Sequence, residues 1–146
     1  MENTLPKILR DIAGKYPDIN AQYTRKENGS FVPNTYKEMY EAVLDFGAGL
    51  LSFGIKRGDH IGLIADDRKE WQQSSMGIMA IGAADVPRGC DATEKDLSYI
   101  LSFAGCTTVV AENEAQVRKI LSIKTALTDV ERIISFDPVS DAGILE

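Results

Sequence analysis

The sequence predicts an α/β fold, a parallel sheet with flanking helices in helix-strand alternation, preceded by an N-terminal helix and β-hairpin. Three observations predict it. From Thr35 onward, helical periodicities and short apolar runs follow one another in the order α-β-α-β-α-β-α-β. Alternation of this kind specifies parallel strands joined by right-handed crossovers. The run His60 to Ala65 is apolar almost throughout and lies between two helical patterns, as a strand buried on both faces does. Gly58-Asp59 supplies a tight turn before that run, and Asp66-Asp67 opens the next helical pattern after it.

Taken in order, Leu5, Ile8, Leu9 and Ile12 recur at helical spacing behind Thr4 as a cap, with Pro6 in the tolerant first turn. Gly14 and Pro17 are expected to end that helix. Ile19, Ala21 and Tyr23 alternate with polar residues, and Asn28-Gly29 predicts a hairpin whose returning strand runs from Ser30 to Val32 and stops at Pro33. Thr35 and Glu38 have capping-box spacing ahead of a helix carrying Tyr36, Met39, Tyr40, Val43, Leu50 and Leu51, closed by Gly54. Gly47 sits on the apolar stripe of that helix, where it permits close helix packing. Asp67 and Glu70 repeat the capping-box spacing with a carboxylate cap, before a helix from Arg68 bearing Trp71, Ser75, Ile78 and Met79. Ala83 to Pro87 reads as a strand, Thr93 as the cap of a helix bearing Leu97, Ile100 and Leu101, and Thr107 to Ala111 as a β-branched strand. Asn113 opens a helix with Val117, Ile120 and Leu121, and Arg132 to Phe136 makes the last strand.

With 146 residues the chain has room for one domain with a real core. Residues 1–34 are expected to pack as helix and hairpin on a main α/β subdomain formed by residues 35–146. The formal net charge of −6, with lysines and arginines scattered singly, argues against nucleic acid as a partner. No apolar run approaches the roughly 20 residues that span a bilayer, and the N-terminus lacks the basic and apolar regions of a secretory signal. Cys90 and Cys106 lack zinc-type spacing, so two free thiols and a cytoplasmic location are expected.

In an open α/β sheet, ligands bind beyond the carboxyl ends of the strands. Those ends are Asp66-Asp67-Arg68, Arg88-Gly89-Cys90-Asp91 and Glu112-Asn113. Thr35, Asp67 and Thr93 are read as structural caps, and Arg88 as the candidate ligand contact, with a surface ion pair as its alternative role. Gly47-Ala48-Gly49 lies inside a helix and lacks the third glycine of a dinucleotide fingerprint. The sequence has no Gly-Lys-Ser/Thr phosphate loop and no nucleophile elbow, and its single histidine, His60, begins a strand. No catalytic residue and no metal ligand set emerges. Composition and spacing alone therefore give an α/β domain, with a stand-alone binding or regulatory module among its readings.

Two stretches carry a resemblance: Thr35-Tyr36-Lys37-Glu38-Met39, and Gly49 to Ile61, reading Gly-Leu-Leu-Ser-Phe-Gly-Ile-Lys-Arg-Gly-Asp-His-Ile. The segment resembles the N-terminal signature of AMP-forming adenylating enzymes, the acyl-adenylate and acyl-CoA synthetases. The likeness continues through Ala65 to Trp71, Ile81 to Pro87, Leu97 to Leu101 and Thr107 to Ala111, covering about two-thirds of the chain in order. Val86-Pro87-Arg88-Gly89-Cys90-Asp91 is most like bacterial long-chain fatty-acid–CoA ligases, although the usual relatives have Leu after the Pro and Asn near Asp67.

That resemblance implies a two-step reaction. ATP and a carboxylate give an acyl-adenylate and pyrophosphate, with magnesium on the phosphates, and the thiol of coenzyme A then displaces AMP. The family's phosphate loop, ribose-binding Asp and C-terminal catalytic Lys have no counterpart in these residues. The chain is therefore expected to be the N-terminal part of a long-chain fatty-acid–CoA ligase, or of a ligase for another carboxylate. Alone it is expected to be inactive and to bind none of ATP, magnesium or CoA. Peripheral membrane association stays open, and exposed sheet edges are expected to favour self-association.

Overall fold

The computed structural model describes residues 4–140. The polar tail from Asp141 lies outside them. The chain divides into two compact units, one built from residues 1–57 and 68–83, the other from residues 58–67 and 84–146.

The first unit holds helix α1 (Leu5–Lys15), strands β1 (Asn20–Arg25) and β2 (Phe31–Thr35), and helices α2 (Tyr36–Ser52) and α3 (Lys69–Ala80). Leu9 from α1 meets Met39 and Val43 from α2 in a small core, with Ala21, Tyr40 and Met76 against it. Pro6 stands at the start of α1, where no backbone donor is lost. Thr4 occupies the N-cap position, yet its side chain makes no cap hydrogen bond, so the predicted cap contributes backbone geometry only. The hairpin turns at Asn28-Gly29, with Gly29 at φ +82° and the Asn28 carboxamide oxygen accepting from the Ser30 amide at 3.0 Å.

One expectation fails here. Pro33 does not end the return strand, and β2 runs on to Thr35, with Pro33 opposite Tyr23. The hairpin is a two-stranded sheet, so both its strands are edges, and an edge position tolerates a residue with no N–H.

Helix α2 opens on the full capping box. The Thr35 hydroxyl accepts from the Glu38 amide at 3.2 Å, and the Glu38 carboxylate takes the Thr35 amide at 2.7 Å. That backbone bond, then the bond from the Thr35 hydroxyl, hold the Glu38 carboxyl below its ordinary range. Helices α2 and α3 approach closely at two glycines. A Cβ on Gly77 would lie 3.1 Å from the Val43 carbonyl oxygen and 2.9 Å from Phe46, and one on Gly47 3.3 Å from the Gly77 oxygen.

The second unit is the parallel sheet. Its strands are β3 (His60–Ile64), β4 (Ala84–Arg88), β5 (Thr108–Ala111) and β6 (Arg132–Ser135), in the spatial order β4-β3-β5-β6. All three pairings are parallel, and Arg88, Ile64, Ala111 and Ser135 share one register row across the sheet. Helices α4 (Glu94–Phe103) and α5 (Glu114–Ser122) pack on it through Leu97, Leu101, Val117 and Ile120, against Ile64, Val109 and Ala111. Ile61, Leu63 and Val110, on the other side of the pleat, are equally inaccessible. Strand β3 is thus buried on both faces, as its near-continuous apolar sequence requires. Gly62 lets α4 approach it: a Cβ there would stand 2.6 Å from Leu101 Cδ2.

Two substitutions separate the roles of the helical glycines. Gly77→Val forces a branched side chain against the Val43 carbonyl and should cost about 1–3 kcal/mol. A Cβ on Gly49 would meet nothing within 4 Å, so Gly49→Ala should gain about 0.5–1 kcal/mol from backbone entropy. Urea unfolding midpoints of the two variants should move in opposite directions.

Candidate functional site

The strand order decides where a site can form. The chain passes from β3 to β4 on one side, then returns past β3 to reach β5 on the other. That reversal is the topological switch point of an open α/β sheet, and its carboxyl edge is where such sheets meet ligands.

At that edge the ladder runs one residue beyond the strands. The Ala65 amide donates to the Arg88 carbonyl at 3.1 Å, and the Glu112 amide to the Ile64 carbonyl at 2.9 Å. Side chains then tie the three loops together. The Asp66 amide donates to Glu112 Oε2 at 2.8 Å, and the Cys90 amide to Asp66 Oδ1 at 2.8 Å. Asn113 Nδ2 donates to Glu112 Oε1 at 3.3 Å. The carboxylates crowd Gly89: a Cβ there would stand 2.8 Å from Asp91 Oδ1 and 3.2 Å from Asp66 Oδ1, so the Asp91 side chain would have to shift.

From α5, Lys119 Nζ donates to the Cys90 carbonyl at 2.7 Å and the Ala92 carbonyl at 3.0 Å. The loop after β4 is therefore held from both the β3 loop and α5.

The thiol of Cys90 and the carboxylates of Asp66 and Glu112 offer ligand atoms within 4.8 Å of one another. Both carboxylates already accept backbone amides, and a protonated thiol is a poor partner for magnesium, which takes oxygen ligands. Burial pushes the Cys90 thiol up to about 11, with the Glu112 and Asp66 charges adding to it. A thiol held protonated at neutral pH is a weak nucleophile. Cys106 is fully buried, and its thiol is likewise raised to about 11 by burial.

The residues singled out in the sequence fall as follows. Arg88 ends β4 at the sheet edge and is exposed, and no described hydrogen bond or ion pair engages its guanidinium. Thr93 caps α4 with a complete box, its hydroxyl accepting from the Asp96 amide at 3.2 Å and its own amide bonding the Asp96 carboxylate at 3.1 Å. The Thr93 hydroxyl, then its amide, hold the Asp96 carboxyl below its ordinary range, with the Arg88 charge adding a little.

Asp67 is a correction. Helix α3 begins at Lys69 with Arg68 at the N-cap position and no side-chain cap, leaving Asp67 exposed one residue earlier. Glu70, the intended capping-box partner, instead takes Arg68 Nε at 2.8 Å. His60 is structural: its Nδ1–H donates to the Ala104 carbonyl at 2.6 Å.

The strand ends are readable from sequence, but Lys119 is not. On α5 its position reads as an ordinary solvated one, and nothing local signals that two loop carbonyls will arrive there.

Fold and edge together define an open parallel α/β sheet whose loops after β3, β4 and β5 gather at its carboxyl edge. The profile of the family described as AMP-binding enzyme matches residues 9–146. The chain belongs to that family. It is 31% identical over 130 residues to a chloroplastic long-chain-fatty-acid–[acyl-carrier-protein] ligase of Arabidopsis thaliana, covering 89% of this chain and 18% of the relative. It is 24% identical to fatty acyl-CoA synthetase A of Dictyostelium discoideum, covering 94% of this chain and 20% of that one. The chain thus spans about a fifth of the length of the curated relatives it matches.

Among solved structures, the N-terminal domain of FACL13 from Mycobacterium tuberculosis superposes with a TM-score of 0.81 at 24% identity, covering 94% of this chain and 34% of that one. An anthranilate CoA ligase in complex with anthranoyl-AMP gives 0.80 at 23%, covering 90% and 24%. These two likenesses establish the fold. No described helix is long and apolar enough to cross a membrane.

The clustered charges make Cys90 chemically testable. In a Cys106→Ala background, alkylation by iodoacetamide should be slow at pH 7 and accelerate as pH approaches about 11. Glu112→Gln should lower the thiol's midpoint by removing a neighbouring charge. Two residues beyond Glu112, the Glu114 carboxylate accepts from the Ser140 amide at 2.9 Å and from Arg118 at 2.7 Å. The Ser140 amide first, then Arg118 and the Ser140 hydroxyl, lower its pKa from 4.5 to about 2. A lowered carboxyl stabilises above its unfolded value, so this attachment should be intact above pH 4.5 and lost as pH falls through about 2. Ser140 amide exchange followed against pH reads it directly.

Proposed function

We propose that this chain is the amino-terminal part of an AMP-forming ligase that activates long-chain fatty acids. The observation that carries the reading is the family match over residues 9–146, joined to relatives whose names specify long-chain fatty acyl substrates. In the proposed reaction a fatty carboxylate attacks the α-phosphorus of ATP, giving acyl-adenylate and pyrophosphate. A thiol then attacks the acyl carbon and AMP leaves. Coenzyme A is the proposed thiol, and an acyl carrier protein is the alternative that the Arabidopsis relative's name specifies.

This chain's share of that work is architectural. It has no phosphate-gripping loop of the Gly-Lys-Ser/Thr type, and its Asp66–Cys90–Glu112 group does not suit magnesium, so no metal step is routed through these residues. Its proposed contribution is the carboxyl edge of the sheet, with Arg88 presenting a guanidinium to an anionic group of a substrate. Within the same unit Thr93 fixes the start of α4, and in the other unit Thr35 fixes the start of α2. A cytoplasmic location and the helix-plus-hairpin division at residue 34 belong to the same reading. So does inactivity of the 146-residue chain alone.

The test is carboxylate-dependent pyrophosphate release by the full polypeptide that carries this chain, across acids of increasing length and with aromatic acids. The expected result is activity that rises toward long chains, followed by thioester formation with coenzyme A. Preference for short or aromatic acids overturns the long-chain assignment, and transfer to an acyl carrier protein alone overturns coenzyme A.

A further inference from the structure

We infer that Lys119 is a positioning residue for Arg88, holding the loop after β4 so that the guanidinium meets the anionic group of a substrate. The inference rests on the reading of Arg88 given above and adds the device that aims it.

The Cys90 peptide is gripped from two directions. Its N–H donates to Asp66 Oδ1 at 2.8 Å, and the carbonyl of the same residue accepts from Lys119 Nζ at 2.7 Å. The second Lys119 bond, to the Ala92 carbonyl at 3.0 Å, fixes the far side of the loop. Arg88 lies two residues before Cys90, and its own carbonyl is pinned by the Ala65 amide at 3.1 Å. Gly89 between them lies against the Asp66 and Asp91 carboxylates, 3.2 and 2.8 Å from where a Cβ would stand. From Arg88 to Ala92 the backbone is therefore held at the Arg88, Cys90 and Ala92 carbonyls and at the Cys90 amide. A short loop held at this density, directly after the strand end that bears the arginine, lowers the ordering cost that a flexible segment would meet on binding.

Lysine suits the task because an ammonium carries three donors and no acceptor, so it can serve two carbonyls at once. Its position is half-buried rather than solvated, unlike a helix-surface lysine. The anion that Arg88 meets belongs to one of three sources sharing the same chemistry: the fatty carboxylate, the ATP phosphates, or the phosphates of coenzyme A.

The experiment measures kcat and the three KM values of the full-length enzyme for wild type, Lys119→Met, Lys119→Arg, Arg88→Met and the double variant Lys119→Met/Arg88→Met. The expected result is a rise of about tenfold in one KM for Lys119→Met, with kcat little changed. The affected substrate identifies the anion. Lys119→Arg should recover most of the loss, and Lys119→Met should add nothing once Arg88 is Met, because the two act on one contact.

If Arg88→Met leaves every KM unchanged, the reading of Arg88 fails and the inference goes with it. If Arg88→Met raises a KM but Lys119→Met does not, the Arg88 reading stands and the positioning role fails. An effect of Lys119→Met that persists in the Arg88→Met background, or that falls on kcat, also overturns it. Should Lys119→Met not fold, Lys119→Gln keeps one donor group and takes its place in the same cycle.

Discussion

The parallel ladder on either side of β3 constrains everything else in its unit. Strand β3 commits both its edges to partners, β4 and β5, and both its faces to packing. Its sequence must then be apolar without alternation, and polarity is pushed to its ends. That is why Asp66 and Asp67 follow Ala65 directly, and why the loops beyond carry the carboxylates. Register does the rest. With Arg88, Ile64 and Ala111 in one row, the residues after them emerge side by side. Asp66, Cys90 and Glu112 are far apart in sequence and meet because three strands end level.

The two carboxylates beside that thiol are satisfied by backbone amides. An amide donated by a neighbouring loop does two things at once: it offsets the carboxylate's desolvation and fixes the loop that donates it. The same device appears at the helix starts, where Glu38 and Asp96 each take a backbone amide and a hydroxyl. These anionic side chains organise backbone, while the exposed cation at the edge, Arg88, faces outward.

Much of this is legible in the sequence, for identifiable reasons. The strands and helices are readable because each has its own period, and Thr35 and Thr93 because a capping box is local chemistry separated by three residues. Asp67 shows where local reading ends. Asp67 and Glu70 have the same spacing, but Glu70 is drawn to Arg68 and the helix starts one residue late. The pattern of residues holds no information about which of two partners Glu70 will choose. Pro33 misleads for a related reason: a proline stops a strand only where its missing N–H is needed, and edge status is a property of topology.

Lys119 is the harder case, since nothing within α5 marks it. Its partners are carbonyls, which every residue has, so no side-chain type at Cys90 or Ala92 announces the contact. The bonds exist because α5 packs on the sheet and brings that helix position against the loop after β4. A residue that acts on backbone through tertiary packing leaves no pairwise trace in sequence, whereas a residue that acts on a ligand usually leaves a type. Arg88 stands out in the sequence as a cation at a strand end, and Lys119 only by its geometry. The two together make an argument neither makes alone: an exposed cation at the end of a strand, followed by a loop tied at Cys90 and Ala92.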